Sequence, residues 1–142
     1  MIILGDPDRL LECFDELVAN ATHWFDKPEK KIELSAVNPA PQPLPGFLDS
    51  SKNYVLIYVK DNGCGIQVSN KQSIFDAFFT TSTHGSGLGL ALVRRIIDGH
   101  GGGIIESGIP GQGADFEIYL PLPVVTREDG ERDDSPKQQE EQ

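Results

Sequence analysis

"NYVLIYVKDNGCGI", residues 53–66, is the stretch on which the fold turns. A run of apolar, strand-forming residues ends abruptly in Asp61-Asn62-Gly63-Cys64-Gly65. Two readings compete. Asp-Asn-Gly is a common hairpin signal, in which case a second strand follows and folds back. Alternatively, a carboxylate at a strand end, beside glycines that leave the backbone bare, accepts a hydrogen bond from an amino group of a flat ligand. The following residues, 66–85, are mixed in character and do not read as a matching strand. That weakens the hairpin.

Downstream, "HGSGLGLALVRRIID" (84–98) reads as a helix from Leu88 to Asp98, opened by Gly85, Gly87 and Gly89. A helix N-terminus carries unpaired N–H groups and a partial positive charge, and glycines let an anion approach them. A phosphate site needs no lysine there. The bland alternative is a glycine hinge that only opens the helix. "GGIIES" (102–107) and "ADFEIYLPL" (114–122) read as two further strands about the turn "GIPGQG".

Upstream, "GDPDRLLECFDELVANATHWF" (5–25) begins with an N-cap aspartate, Asp6, and a proline at the first helical position. Leu10, Phe14, Leu17, Val18 and Ala21 recur at helical spacing and predict a core stripe. Glu16, Asn20 and His23 are spaced four and three apart and share another face. Taken alone, that face is a solvated stripe. Taken with the glycines, Asn20 offers an amide oxygen to Mg2+, which takes few protein ligands. Glu16 lies one turn earlier, where it orients or deprotonates a group attacking a γ-phosphate.

"KIELSAV" (31–37) alternates as a strand. Residues 38–53 hold four prolines and predict a long surface loop. The order is helix, strand, strand, lid-like segment, helix, strand, strand. Helices are too few to alternate with strands, so the expectation is an α+β two-layer sandwich. Its sheet is mixed and mostly antiparallel, with the helices on one face. Residues 1–125 form one domain; 126–142 form an acidic tail too poor in apolar residues to fold.

Formal net charge is −10, and residues 127–142, with seven acidic and three basic residues, supply −4 of it. No basic run is present, which argues against nucleic acid and anionic membrane as partners. No apolar run approaches the ~20 residues of a membrane span. Cys13 and Cys64 form no CxxC pair and read as reduced thiols. The expected location is the cytoplasm, and the expected state of the isolated domain is a monomer.

"ELVANATHW", "DNGCGI", "IFDAFFTTS", "GSGLGLALV" and "GQGADF" stand in this order along the chain. The set resembles the N, G1, F, G2 and G3 boxes of the sensor histidine kinase catalytic domain. That domain is part of the gyrase, Hsp90, histidine kinase and MutL superfamily. The resemblance runs from about Gly5 to Pro123. It implies a Bergerat-type ATP-binding fold, ATP with Mg2+ as ligand, and a mobile lid. It further implies that Asn20 holds the metal, that Asp61 reads the adenine amino group, and that Gly63, Gly65 and Ile66 lie against the base. Phe75, Phe78 and Thr81 match the F box and the start of the lid. Gly85, Ser86, Gly87, Leu88 and Gly89 match the phosphate-facing segment, with Ala114 near the adenine. Glu16 takes the position of the catalytic polar residue, and His23 stands where a lysine or arginine often reaches phosphates.

There are departures. His23 places an imidazole where a lysine or arginine is frequent. Ser82 replaces a frequent lysine, Ala114 a frequent threonine, and the lid between Thr81 and Gly85 is short. The implied partners are a phosphoacceptor helical hairpin, in cis or in trans, and then a response regulator. Two alternatives stay open: a stand-alone serine kinase of the anti-sigma type, and a nucleotide-binding module without transfer activity.

Overall fold

The structure is a computed structural model and describes residues 2–82 and 85–124. Helix α1 spans Pro7–His23. Its start is set by Asp6, whose Oδ1 accepts from the N–H groups of Asp8 (3.1 Å) and Arg9 (3.3 Å). Cys13, Leu17 and Ala21 form the buried stripe, with Leu10 and Phe14 packed at its margin. Val18, expected in the core, is 40 % exposed. It lies one residue, about 100° of helix rotation, past Leu17 and so falls on the solvent edge of the stripe.

Strands β1 (Ile32–Val37), β2 (Tyr54–Asp61), β3 (Gly103–Glu106) and β4 (Asp115–Pro121) form one sheet in the order β1-β2-β4-β3. All three pairings are antiparallel, which corrects the expected mixed sheet. The reason is that β4 inserts between β2 and β3, so the two strands joined through the second helix run parallel but never touch. Two short 3-10 turns, Val68–Asn70 and Ser73–Phe75, precede helix α2, Gly89–Gly99. Among the described residues no strand returns directly from Asp61 onto β2; its partners are β1, which precedes it, and β4, which begins only at Asp115. The Asp-Asn-Gly stretch is therefore not a hairpin turn.

Strand alternation divides the sheet into two faces. Val55 and Leu120, Ile57 and Ile118, and Val59 and Phe116 are register partners facing the helices. There they meet Cys13 and Leu17 of α1 and Val93, Ile96 and Ile97 of α2. Each fully buried aliphatic side chain here contributes about 1.5–3 kcal/mol. The opposite face carries Tyr54, Leu56 and Tyr119, covered by Ala40, Leu44 and Leu48 of the Pro-rich loop. Phe47 of that loop stands edge-on to Tyr119, ring centroids 6.3 Å apart. The 38–53 segment is thus a cover for the second face as well as a connection.

The two helices are also tied at their far ends. Nε2 of His100, just past α2, accepts from the N–H of Asp6 at 3.0 Å. Its Nδ1 donates to the carbonyl of Ile96 at 2.7 Å. The predicted acidic tail lies outside the described residues, as do Thr83 and His84 of the short lid.

Candidate functional site

A cavity of about 420 Å3 opens between α1, the end of β2 and the segment leading into α2. It is lined by Glu16, Asn20 and His23, by Asp61, Gly65, Ile66 and Ala114, and by Thr81, Gly85, Ser86, Gly87 and Gly89. The helix period brings the first three together: while Cys13, Leu17 and Ala21 face the sheet, the stripe of Glu16, Asn20 and His23 faces the cavity. Among the described residues the lining includes two carboxylates and no lysine or arginine.

One end of the cavity is built around Asp61. Its Oδ1 accepts from the N–H of Gly63 at 2.9 Å and of Ala114 at 3.1 Å. The two amides come from separate turns, which the backbone also joins: Asp61 N–H donates to Ala114 O (2.9 Å) and Gly111 N–H to Cys64 O (2.8 Å). Gly113, at φ +114°, lies so close to the Asp61 carbonyl that any side chain there would collide with it. With Oδ1 committed to two donors, the carboxylate is fixed in orientation.

The other end is the start of α2. Its N-cap, Leu88, provides no side-chain hydrogen bond, and among the described residues no side chain caps the amides of the first turn; Ser86 Oγ accepts only from the N–H of Leu88 itself, at 3.4 Å. Gly87 has φ +71°, and a Cβ there would sit 2.4 Å from the carbonyl carbon of Phe78. Phe78 itself holds φ 67°, an uncommon conformation for an aromatic residue. Its N–H donates to Gly87 O at 2.9 Å, which ties the two positive-φ positions together. A Cβ on Gly89 would meet Glu16 Oε2 at 2.5 Å, so the Glu16 carboxylate abuts the first turn of α2. His23 Nε2 lies 3.0 Å from Ser82 Oγ, bridging α1 to the lid segment.

Four of the expected residues do not line this cavity. Gly63 is buried behind Asp61, where a Cβ would lie 2.6 Å from the Trp24 carbonyl oxygen. Phe75 belongs to the core, edge-on to Phe116 at 6.2 Å. Phe78 is 75 % exposed and Leu88 45 % exposed. The wall carries instead Phe79, together with Trp24, Cys64, Gln67, Asn70 and Ile74. In "IFDAFF" the 3-10 turn Ser73–Phe75 directs Ile74 and Phe75 inward, and the alternation of aromatic positions cannot be read from spacing alone. Burial pushes the Cys64 thiol up, with the nearby Asp26 acting in the same direction. Cys13 is pushed up to about 11 by burial. Both shifts disfavour the thiolate, the reactive form of cysteine.

The sequence model of the family described as "Histidine kinase-, DNA gyrase B-, and HSP90-like ATPase" matches residues 5–124. The chain belongs to this family. It is 38 % identical over 120 residues to the sensor histidine kinase ZraS of Salmonella typhimurium, across 84 % of this chain and 23 % of ZraS. The chain thus spans about a quarter of the length of that relative. Among solved structures it is similar to the catalytic domain of the histidine kinase ThkA, with TM-score 0.65 and 30 % identity over 84 % of this chain and 70 % of that one. It is also similar to full-length ShkA, solved in complex with AMPPNP, with TM-score 0.64 and 28 % identity over 87 % of this chain and 24 % of ShkA. The antiparallel four-stranded sheet with two helices is the α/β arrangement of histidine kinase ATPase domains.

Proposed function

We propose that the chain binds ATP with Mg2+ in this cavity and donates the γ-phosphate to a histidine on a separate helical hairpin, as a step in two-component signalling. A single observation carries the reading. The Asp61 carboxylate, fixed by two amides, stands at one end of a cavity whose other end is an uncapped helix N-terminus. A carboxylate suits an amino donor such as that of adenine, and the helix end suits phosphate. AMPPNP in the ShkA complex supports the same ligand class.

In this reading Gly65, Ile66, Phe79 and Ala114 flank the base, and Gly85, Ser86, Gly87 and Gly89 approach the phosphates. The donor set fits a hard cation: Asn20 offers an amide oxygen into the cavity, beside the Glu16 carboxylate. Among the described residues no group of three or more His, Cys, Asp or Glu gathers as a cage, in keeping with a metal held chiefly by phosphates and water. When bound, Mg2+ neutralises phosphate charge. Glu16, at the phosphate end, orients or deprotonates the attacking imidazole, and His23 with Ser82 faces the phosphates from the lid side. Beside the cavity, Ala77, Leu88, Ala91, Leu92, Arg94 and Arg95 line a groove. It adjoins the phosphate end and suits the acceptor hairpin. The reading places the chain in the cytoplasm, where ATP is, as a monomeric unit that serves a response regulator through that hairpin.

Calorimetric titration with ATP and with GTP tests it. Guanine presents a carbonyl where adenine presents its amino group, so ATP is expected to bind more tightly. Asp61→Asn is expected to weaken ATP by about 1–3 kcal/mol, the range for a charged hydrogen bond, and to erase the preference. Equal affinities for the two nucleotides in the parent chain would remove Asp61 from base selection.

A further inference from the structure

We propose that Lys27 is a positioning residue for base selection, holding together the two turns whose amides fix the Asp61 carboxylate. The proposal rests on the ATP reading of the cavity. Lys27 follows α1 in a loop that carried no signal in the sequence, and it does not line the cavity. Its ammonium nonetheless makes three contacts: the carbonyl oxygen of Gly63 at 2.9 Å, that of Gly111 at 3.1 Å, and Asp26 Oδ1 at 3.0 Å.

The two carbonyls belong to different turns. Gly63 presents its N–H to Asp61 Oδ1 and its carbonyl to Lys27. Gly111 presents its N–H to Cys64 O and its carbonyl to Lys27. Three residues on, Ala114 supplies the second amide to Asp61 Oδ1. One ammonium therefore closes a ring that runs from turn to turn through the base-reading carboxylate. Other bonds in this region each serve one junction: Asn62 joins only the 29–31 loop, through Lys31 N–H and Glu29 O, and Cys64 N–H joins Trp24 O. Apart from the Asp61 carboxylate itself, the Lys27 side chain is the one side chain whose hydrogen bonds among the described residues reach both turns. A protonated amine with three donors is suited to this, because hydrogen bonds from a charged donor are stronger than neutral ones. Losing it leaves the turns joined only by backbone bonds and by Asp61 Oδ1, so the two amides are held less firmly and the carboxylate is less restricted toward one base.

The test uses Lys27→Met, which keeps the stem and removes the charge, and Lys27→Arg, whose fork reaches the same carbonyls. ATP and GTP affinities are measured by calorimetry, and exchange of the Gly63 and Ala114 amides by NMR without nucleotide. In Lys27→Met the ATP-to-GTP affinity ratio is expected to fall at least about threefold and the two amides to exchange about tenfold faster, as for the loss of a charged tether at a local opening. Lys27→Arg is expected to restore both. A folded Lys27→Met chain with lower thermal stability but unchanged ratio and exchange shows a merely structural lysine and overturns the proposal. Should Lys27→Met not fold, the same measurements on Lys27→Gln, which keeps a neutral donor, decide in the same way. A parent chain that binds neither nucleotide refutes the ATP reading instead, and the exchange arm then decides for Lys27 alone.

Discussion

Glu16 and Asn20 lie one helical turn apart on the same face of α1, and the proposed function gives them different work. Asn20 has no charge to lose and presents an amide to the cavity. Glu16 presents a carboxylate against the first turn of α2, where phosphate would gather. A carboxylate beside phosphates is not a group that recruits them, so the role proposed for Glu16 is in the transfer step. Asn20→Ala is expected to abolish the Mg2+ dependence of ATP affinity. Glu16→Gln is expected to leave affinity nearly intact and to slow turnover per bound ATP. Calorimetry with and without Mg2+, paired with single-turnover rates, separates the two. Loss of binding in Glu16→Gln with an unchanged rate per bound ATP would make Glu16 a binding residue. At this scale the sequence was most readable where chemistry is specific. Asp61 and the glycines at 65, 85, 87 and 89 could be named from it, and the cavity gathers all of them. Lys27 could not, because a lysine in a polar loop has the same local pattern whether or not its ammonium meets two distant carbonyls. Phe78 was named where Phe79 lines the cavity, because adjacent aromatic positions differ only in backbone direction.

Among the elements, α1, β2 and α2 were legible because each buries one periodic stripe against the sheet. The role of the 38–53 segment was not. Its prolines mask the spacing of Ala40, Leu44 and Leu48, which cover the outer face beside Tyr54, Leu56 and Tyr119. That face has a titration consequence on β4. Desolvation pushes the Glu117 carboxyl up, and Asp115 adds to the shift; Asp115 is itself raised by desolvation. A carboxyl raised by folding holds its proton more tightly in the folded chain. Its contribution to stability is therefore full below the ordinary carboxylate range and is lost as pH rises through the folded value. The exposed Asp49, held low by Ser51, acts in the opposite sense. Glu117→Gln cannot titrate, so it is expected to gain on the parent as pH rises from about 4 to 7. Melting temperatures across that range check it. An offset between the two chains that is constant with pH would show that Glu117 is not the titrating group.

For the molecule as a whole, the question is where the phosphate goes. In-line transfer needs the acceptor nitrogen opposite the leaving oxygen of ADP, so that the new bond to phosphorus forms as the bridging bond breaks. The chain has three histidines. His23 is engaged with Ser82 on the cavity wall and approaches from the side of α1. His100 has both ring nitrogens committed, to Asp6 N–H and Ile96 O. It also lies beyond the far end of α2, an 11-residue helix about 16 Å long. His84 lies outside the described residues, next to the glycines that open α2. Both described α-helices are packed into the sandwich, so neither is free to act as a presenting hairpin. The separate hairpin proposed above, docked in the groove beside Leu88 and Leu92, would bring its histidine from outside the sandwich. These 142 residues are accordingly expected to take no label from γ-labelled ATP when incubated alone. With a purified acceptor hairpin from a sensor histidine kinase added, acid-labile and base-stable label is expected on the hairpin only. Stoichiometric acid-labile label on this chain by itself would refute the assignment of the acceptor to another segment. Acid-stable label on a serine-bearing partner would place the chain with the anti-sigma-type kinases. Nucleotide binding with no transfer to either would leave a binding module in which His23, Ser82 and Ala114 have replaced the residues that support chemistry.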